Sequence, residues 1–109
     1  MNKYNARKVT YFGQTFDSQK EAERWLYLRS LQKRGKISNL KRQVKYELIP
    51  RAPGVKLQAL SYIADFVYEK DGETIVEDVK GYKAGEAYRL FTAKKKVMYF
   101  RYKILIQEV

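Results

Sequence analysis

The chain has 109 residues, enough for one ordinary domain, and its 45% hydrophobic and 15% aromatic content supplies a core and argues against disorder. It contains no cysteine and no histidine. That excludes disulfides, zinc fingers, thiol nucleophiles, Ser-His-Asp triads and histidine-based nuclease mechanisms. Acid–base or metal chemistry must then use Asp, Glu, Lys, Tyr or water, and carboxylate oxygens favour hard cations such as Mg²⁺ or Mn²⁺. The net charge of +11, from 23 basic and 12 acidic residues, points to a polyanionic partner, with nucleic acid first. An anionic membrane surface fits less well, because no helix shows a clean basic-and-apolar split. The plain alternative is a soluble basic protein. No apolar run approaches the ~20 residues of a membrane span, and the opening MNKYNARKVTYF lacks the apolar core of a signal peptide. The expectation is a soluble, cytoplasmic protein with one domain over residues 1–109.

The opening residues 1–8 are polar and basic. They read either as an arm along a phosphate backbone, through Lys3, Arg7 and Lys8, or as a frayed terminus. Val9 to Phe16 reads as a small hairpin turning at Gly13-Gln14. Asp17-Ser18 opens a helix, and Glu21 lies three residues after Ser18, as a capping box requires. Ala22, Trp25, Leu26, Leu28 and Leu31 follow helical spacing, and Gly35 is the natural stop, so the helix spans Ser18 to Arg34. Trp25 falls on its apolar face. Ile37 to Ile49 is extended, with Val44, Tyr46 and Leu48 alternating with charged residues. The loop PRAPG follows. Leu57 to Tyr68 reads as a strand, Lys70-Asp71-Gly72 as a turn and Thr74 to Lys80 as the return strand. Gly81 to Glu86 is a loop, Ala87 to Tyr102 a second helix and Lys103 to Val109 a closing strand. This order predicts an α/β domain with a mixed sheet and helices on its faces.

The anomaly is the stretch LSYIADFVYEKDGETIVEDVKG. A charge inside a strand is costly unless it is solvated, paired or bound to a cation, and here Asp65, Asp78 and Lys80 interrupt strand-like sequence. Alternation puts Asp78 and Lys80 on one face and Glu77 on the other, with Ile75 and Val79. Pairing across the turn brings Asp65 near Asp78 and Lys80. The plain alternatives are an exposed edge-strand Asp65, a surface Asp78–Lys80 pair worth at most ~1 kcal/mol, and a Glu21 that only caps its helix.

The combination resembles the PD-(D/E)XK nuclease superfamily. Ile63-Ala64-Asp65 stands where that superfamily has its first acidic residue, with alanine in place of proline, and Asp78-Val79-Lys80 matches its (D/E)-x-K element. Glu21, in Asp17-Ser18-Gln19-Lys20-Glu21-Ala22, matches the helix glutamate of the branch containing phage-type endonuclease I resolvases, very-short-patch repair endonucleases and the TnsA transposition endonuclease. The opening NKYNARK, the FDSxxEA helix start and the IADF…VEDVKG hairpin are similar to a small phage-associated family in the same superfamily. The resemblance implies a restriction-endonuclease-like core: a mixed central β-sheet flanked by helices.

It also implies a metal-dependent DNA endonuclease in a bacterial or phage-infected cell. Phosphodiester hydrolysis needs an activated water and neutralised phosphate charge, and bound Mg²⁺ or Mn²⁺ serves both. Asp65 and Asp78 would be direct ligands, the Val79 carbonyl a third, and Glu21 would complete the set. Lys80 would orient or help deprotonate the water. Gln43 is a supporting candidate, or a solvent-facing strand residue. Lys83, Lys94, Lys95 and Lys96 read as a phosphate-facing surface, with Lys94 the best placed of them for a supporting role. Small size favours a structure-selective enzyme on branched DNA, resembling a Holliday junction resolvase, and cutting two symmetric strands calls for a homodimer. The competing expectations are a nicking, mismatch or packaging-related nuclease acting on duplex DNA, and a non-catalytic DNA-binding protein that keeps the fold.

Overall fold

The computed structural model describes residues 7–109; Lys3 lies outside them. The element order is β1 (Val9–Tyr11), β2 (Gln14–Phe16), α1 (Gln19–Lys33), β3 (Ser38–Ile49), β4 (Leu60–Lys70), β5 (Glu73–Asp78), α2 (Gly85–Tyr102) and β6 (Gln107–Glu108). Strands β1 and β2 form a small antiparallel sheet, and the other four form a mixed sheet in the order β3-β4-β5-β6. Strands β3, β4 and β5 are an antiparallel meander, and β6 joins β5 in parallel. Among the described residues no helix is long and apolar enough to cross a membrane.

Local chemistry sets the boundaries. Ser18 caps α1, its Oγ accepting the Glu21 N–H at 3.1 Å. Gly35, at φ +74°, ends the helix. Its N–H donates to the Gln32 carbonyl and that of Lys36 to the Leu31 carbonyl, the paired bonds of a Schellman stop. Asp71 and Gly72 both take positive φ, the mirror-image turn that matches strand twist, and close β4 onto β5 with Lys70 opposite Glu73.

Several boundaries differ from the sequence expectation: α2 opens at Gly85 rather than Ala87 and β4 runs on to Lys70, and four further differences have a visible cause. The first hairpin turns at Phe12-Gly13, not Gly13-Gln14, because Tyr11 pairs with Gln14. β4 starts at Leu60 rather than Leu57: it pairs there with Ile49, beyond which Pro50 offers no donor, so Leu57 stays exposed. β5 stops at Asp78, leaving Lys80 beyond the strand. The closing strand is only Gln107–Glu108, because α2 ends on a left-handed Lys103 and the next residues carry the chain back from helix to sheet edge. Ile104 and Ile106 of that return segment still pack into the core.

The sheet separates two apolar clusters. Leu28, with Trp25 and Leu31 of α1, packs on Phe66, Tyr68 and Ile75. Phe91 and Met98 of α2 pack with Tyr62, Ala64, Val67 and Val76. Trp25 stacks on Phe66 with centroids 5.9 Å apart, as a core role requires.

Candidate active site

The site begins with a fault in strand alternation. Ala64 and Phe66 are two apart, yet they pack in the α2 and α1 clusters respectively. On the paired strand, Val44 joins the α2 cluster while Arg42 stacks on Phe16, 3.9 Å from its ring centre, and near Trp25. Residues two apart on a regular strand share a face. The reversal falls at Gln43, whose φ is +52°, and the ladder skips Gln43 and Asp65 between Arg42↔Phe66 and Val44↔Ala64. Both strands thus change face at the Gln43–Asp65 position, and Asp65 is released from regular pairing.

Asp65 then takes over a ladder bond. The register Phe66↔Glu77 would next place Asp65 opposite Asp78. Instead the Asp65 Oδ2 accepts the Val79 N–H at 2.8 Å, and Gln43 Nε2 approaches Oδ1 at 3.4 Å. Gln43 therefore contacts Asp65 rather than facing solvent alone. The backbone of Asp78 and Lys80 continues through Val109 of the chain end: Val109 N–H donates to the Asp78 carbonyl and Lys80 N–H to the Val109 carbonyl, both at 3.0 Å.

Asp78 is buried and uses both oxygens. Tyr62 donates its hydroxyl to Oδ1 at 2.9 Å, and Lys80 Nζ lies 2.6 Å from Oδ2. The Lys80 ammonium also sits 3.6 Å from the centre of the Phe91 ring, a placement favoured by the ring quadrupole. Glu21, buried at the start of α1, accepts Arg42 Nη2 at 3.3 Å and a backbone hydrogen bond from Asp17. The capping and site readings of Glu21 are compatible: its backbone is capped by Ser18 while its carboxylate faces the cleft.

Glu21, Asp65, Asp78, Val79 and Lys80, drawn from α1, β4 and the end of β5, all line one open cleft of about 1210 Å³. Arg7, Lys8 and Lys20 line it too. Burial, then repulsion from Asp78 and Glu21, pushes the Asp65 carboxyl up to about 7, against the pull of the Val79 N–H. Burial raises Glu21 as well, opposed chiefly by Arg42. Burial and the adjacent Asp78 carboxylate raise Tyr62, which keeps its hydroxyl a donor. The cleft thus brings three mutually repelling carboxylates close together, of which Glu21 and Asp78 have a cationic partner and Asp65 has only the Val79 N–H and Gln43.

Glu21, Asp65 and Asp78 supply oxygen donors of the type a hard cation takes. Among the described residues, however, no three carboxylates form a ready-made cage. Each is engaged by a protein donor: Glu21 by Arg42, Asp65 by Val79 N–H, Asp78 by Tyr62 and Lys80.

The outer cations divide. Arg7 and Lys8 line the cleft, with Lys8 reaching Asp17 at 3.3 Å. Lys94 lines a second, smaller groove that shares Asp78 and Lys80. Lys95 turns away to Glu108 at 2.7 Å, and Lys83 lies 3.9 Å from the same carboxylate. Lys95 thus ties α2 to β6, and Lys83 reaches the same carboxylate from the loop before α2.

Three contributors were not evident in sequence. Lys20 donates Nζ to the Lys80 carbonyl at 2.6 Å, tying α1 to the end of the hairpin. Arg42 links Glu21 to β2 through Gln14 Oε1 and the Thr15 carbonyl. Arg24 grips fully buried Glu77 with two bonds, Nε to Oε1 at 2.8 Å and Nη2 to Oε2 at 2.6 Å, and Tyr68 donates to Oε2. The available signal for the last was strand parity, which puts Glu77 on the face that α1 covers; Arg24 lies one turn after Glu21.

Residues 1–108 match the family described as Protein of unknown function (DUF1064), and the chain belongs to that family. No curated protein and no solved structure matched the chain.

Proposed function

We propose that this protein is a metal-dependent DNA endonuclease with a restriction-endonuclease-like core, acting on branched DNA in the manner of a Holliday junction resolvase. The observation that carries the reading is the convergence of Glu21, Asp65 and the Asp78–Lys80 pair, from three separate stretches of the chain, on one cleft that Arg7, Lys8 and Lys20 also line. A helix followed by a three-stranded meander, a second helix and a parallel edge strand supports the same reading. So does the raised Asp65 carboxyl, since a bound cation would offset the charge that raises it.

Glu21, Asp65 and Asp78 would hold Mg²⁺ or Mn²⁺, which would supply charge neutralisation at the phosphate and a more acidic water. The protein's own groups divide the remaining work. Tyr62 fixes the Asp78 carboxylate from below. Gln43 and the Val79 N–H fix Asp65. Lys80, held by Asp78 and the Phe91 face, presents an ammonium that can orient a water by hydrogen bond and offset charge on a non-bridging phosphate oxygen. Arg7, Lys8 and Lys20 bring the backbone of the nucleic acid to the cleft.

The test is a panel of four-way junction, flap, mismatched and linear duplex DNAs with and without Mg²⁺. Junction cleavage that disappears in Asp65→Ala, Asp78→Ala and Lys80→Ala while binding persists is the expected result. Full cleavage by these variants would sink the assignment. The pairing of each carboxylate with a protein donor favours one second reading, a cleft that binds DNA without cutting it. That reading predicts salt-sensitive binding and no product in either metal.

A further inference from the structure

Asp78 and Lys80 face two cavities rather than one. Behind the large cleft lies a groove of about 330 Å³ lined by Ser61, Tyr62, Ile63, Ala87, Leu90, Phe91 and Lys94 together with Asp78 and Lys80. Its composition differs from that of the cleft. Ile63 and Leu90 are each 54% exposed, so two aliphatic side chains stand in solvent along this groove, one from β4 and one from α2. Two ammonium groups, those of Lys80 and Lys94, line the same space. The fold does not need the two aliphatic tips, since Tyr62 and Phe91 beside them already close the core.

Resting on the nuclease reading above, we infer that this groove receives a single unpaired nucleotide adjacent to the scissile phosphate, and that it gives the enzyme its preference for DNA with unpaired or splayed nucleotides. Charge complementarity selects the occupant. Lys80 is already paired with Asp78, which lines the groove too, so Lys94 supplies the excess positive charge. Apolar walls with one such cation fit a group that is apolar on its faces and anionic at one end. A nucleotide has this character, because every base presents a π-face and carries a phosphate. The groove volume lies at the low end of small-molecule sites, ~300–1,000 Å³, which suits one nucleotide and not a base pair. Its position fixes the register: the phosphate lies toward Lys80 and the base toward Ile63 and Leu90. A continuous duplex would have to unstack a base to fill the groove, whereas a flap, gap or junction supplies one already loosened.

The test places 2-aminopurine at the unpaired position next to a gap and follows its fluorescence on binding to the full-length protein in EDTA. The comparison is wild type against the double variant Ile63→Ser/Leu90→Ser. Both positions are exposed, and an unchanged thermal midpoint verifies folding. The expected result is a fluorescence change in wild type that the variant loses, with about tenfold weaker binding, equivalent to ~1.4 kcal/mol. An abasic site at that position should weaken wild-type binding equally. A signal unchanged by the variant, or indifference to the abasic site, would overturn the groove assignment. Cleavage is scored separately with Mg²⁺ on the same DNA. A groove-dependent signal without cleavage keeps the nucleotide site and removes the nuclease reading; cleavage without a groove-dependent signal does the reverse.

Discussion

Glu77 and Asp78 are neighbours in sequence and both are buried, yet they belong to different regions of the molecule. Glu77 faces α1, where Arg24 and Tyr68 occupy its two oxygens, and it is sealed. Asp78 faces the other side of the sheet, at the junction of the two cavities, with Lys80 and Tyr62. The contrast teaches how one strand serves two ends. Alternation sends the first carboxylate into a clamp that fixes α1 on the sheet, and the second to the cleft. Arg24 lies one turn beyond Glu21 on α1, so its grip on β5 also holds the start of the helix against the sheet beside the cleft that Glu21 lines.

The sharpest way to break the comparison is to mutate one residue from each region. On the proposed reading, Lys80→Ala lowers Mg²⁺-dependent cleavage by about a hundred- to ten-thousandfold, the range for loss of a group that positions or moves a proton. Single-turnover kinetics on protein shown by parallel denaturant melts to be folded should show that loss, alongside the stability given up when buried Asp78 keeps Tyr62 but loses its cation. Arg24→Ala should act on stability first. It leaves a fully buried carboxylate without its main partner, which costs ~3–5 kcal/mol, against a total stability of about 5–15 kcal/mol for a domain. Arg24→Met combined with Glu77→Leu should recover much of that by removing both charges. If Arg24→Ala proves as stable as wild type, the clamp does not hold α1.

Strand parity was readable because it depends only on spacing, and it separated Glu77 from Asp78 correctly. The Asp-Gly turn was readable because few residues accept two successive positive φ values. Glu21 was brought to the hairpin by the tertiary packing of α1, which no local pattern encodes; its resemblance to a known helix glutamate supplied the expectation. What stayed hidden was non-local. The face reversal at Gln43 and Asp65 needs a left-handed Gln43, a conformation that its residue type does not signal. Arg42 and Lys20 act through partners 21 and 60 residues away. The pairing of Lys95 with Glu108 joins α2 to β6 and depends on how the segment after α2 returns to the sheet.

The electrostatic half of the comparison is open to titration, because a chain without histidine or cysteine has few other groups that change charge near neutrality. Asp65 is raised to about 7 in the folded state from its ordinary 3.8, so the folded state holds the proton more tightly between those values. On this group's account, stability is highest below about pH 4, falls as the pH rises and levels off above about pH 7. The total change is of the order of a few kcal/mol. Glu21, raised in the same sense, adds to the fall. Urea melts across that range should show a decline that Asp65→Asn flattens. Asp65→Asn should also be more stable than wild type at pH 8 in EDTA, as expected where a site holds charge for function rather than stability. A wild-type profile that rises through this window would contradict the charge balance described for the cleft.

The smallest effect concerns the rim of the cleft. Lys8 and Asp17 form an ion pair at 3.3 Å with both side chains about three-quarters exposed. Such a pair contributes ~0–1 kcal/mol, so Lys8→Ala should leave the denaturation midpoint nearly unchanged. Lys8 nevertheless lines the cleft beside Arg7. If it contacts a phosphate, its loss removes one released counterion, and the slope of log K against log salt for duplex binding should become shallower by ~0.9. The same substitution at Lys95, already committed to Glu108, should leave that slope unchanged while loosening α2 from β6. Equal slopes for Lys8→Ala and wild type would remove this rim from the nucleic-acid surface and confine phosphate contact to Lys20, Lys80 and Lys94.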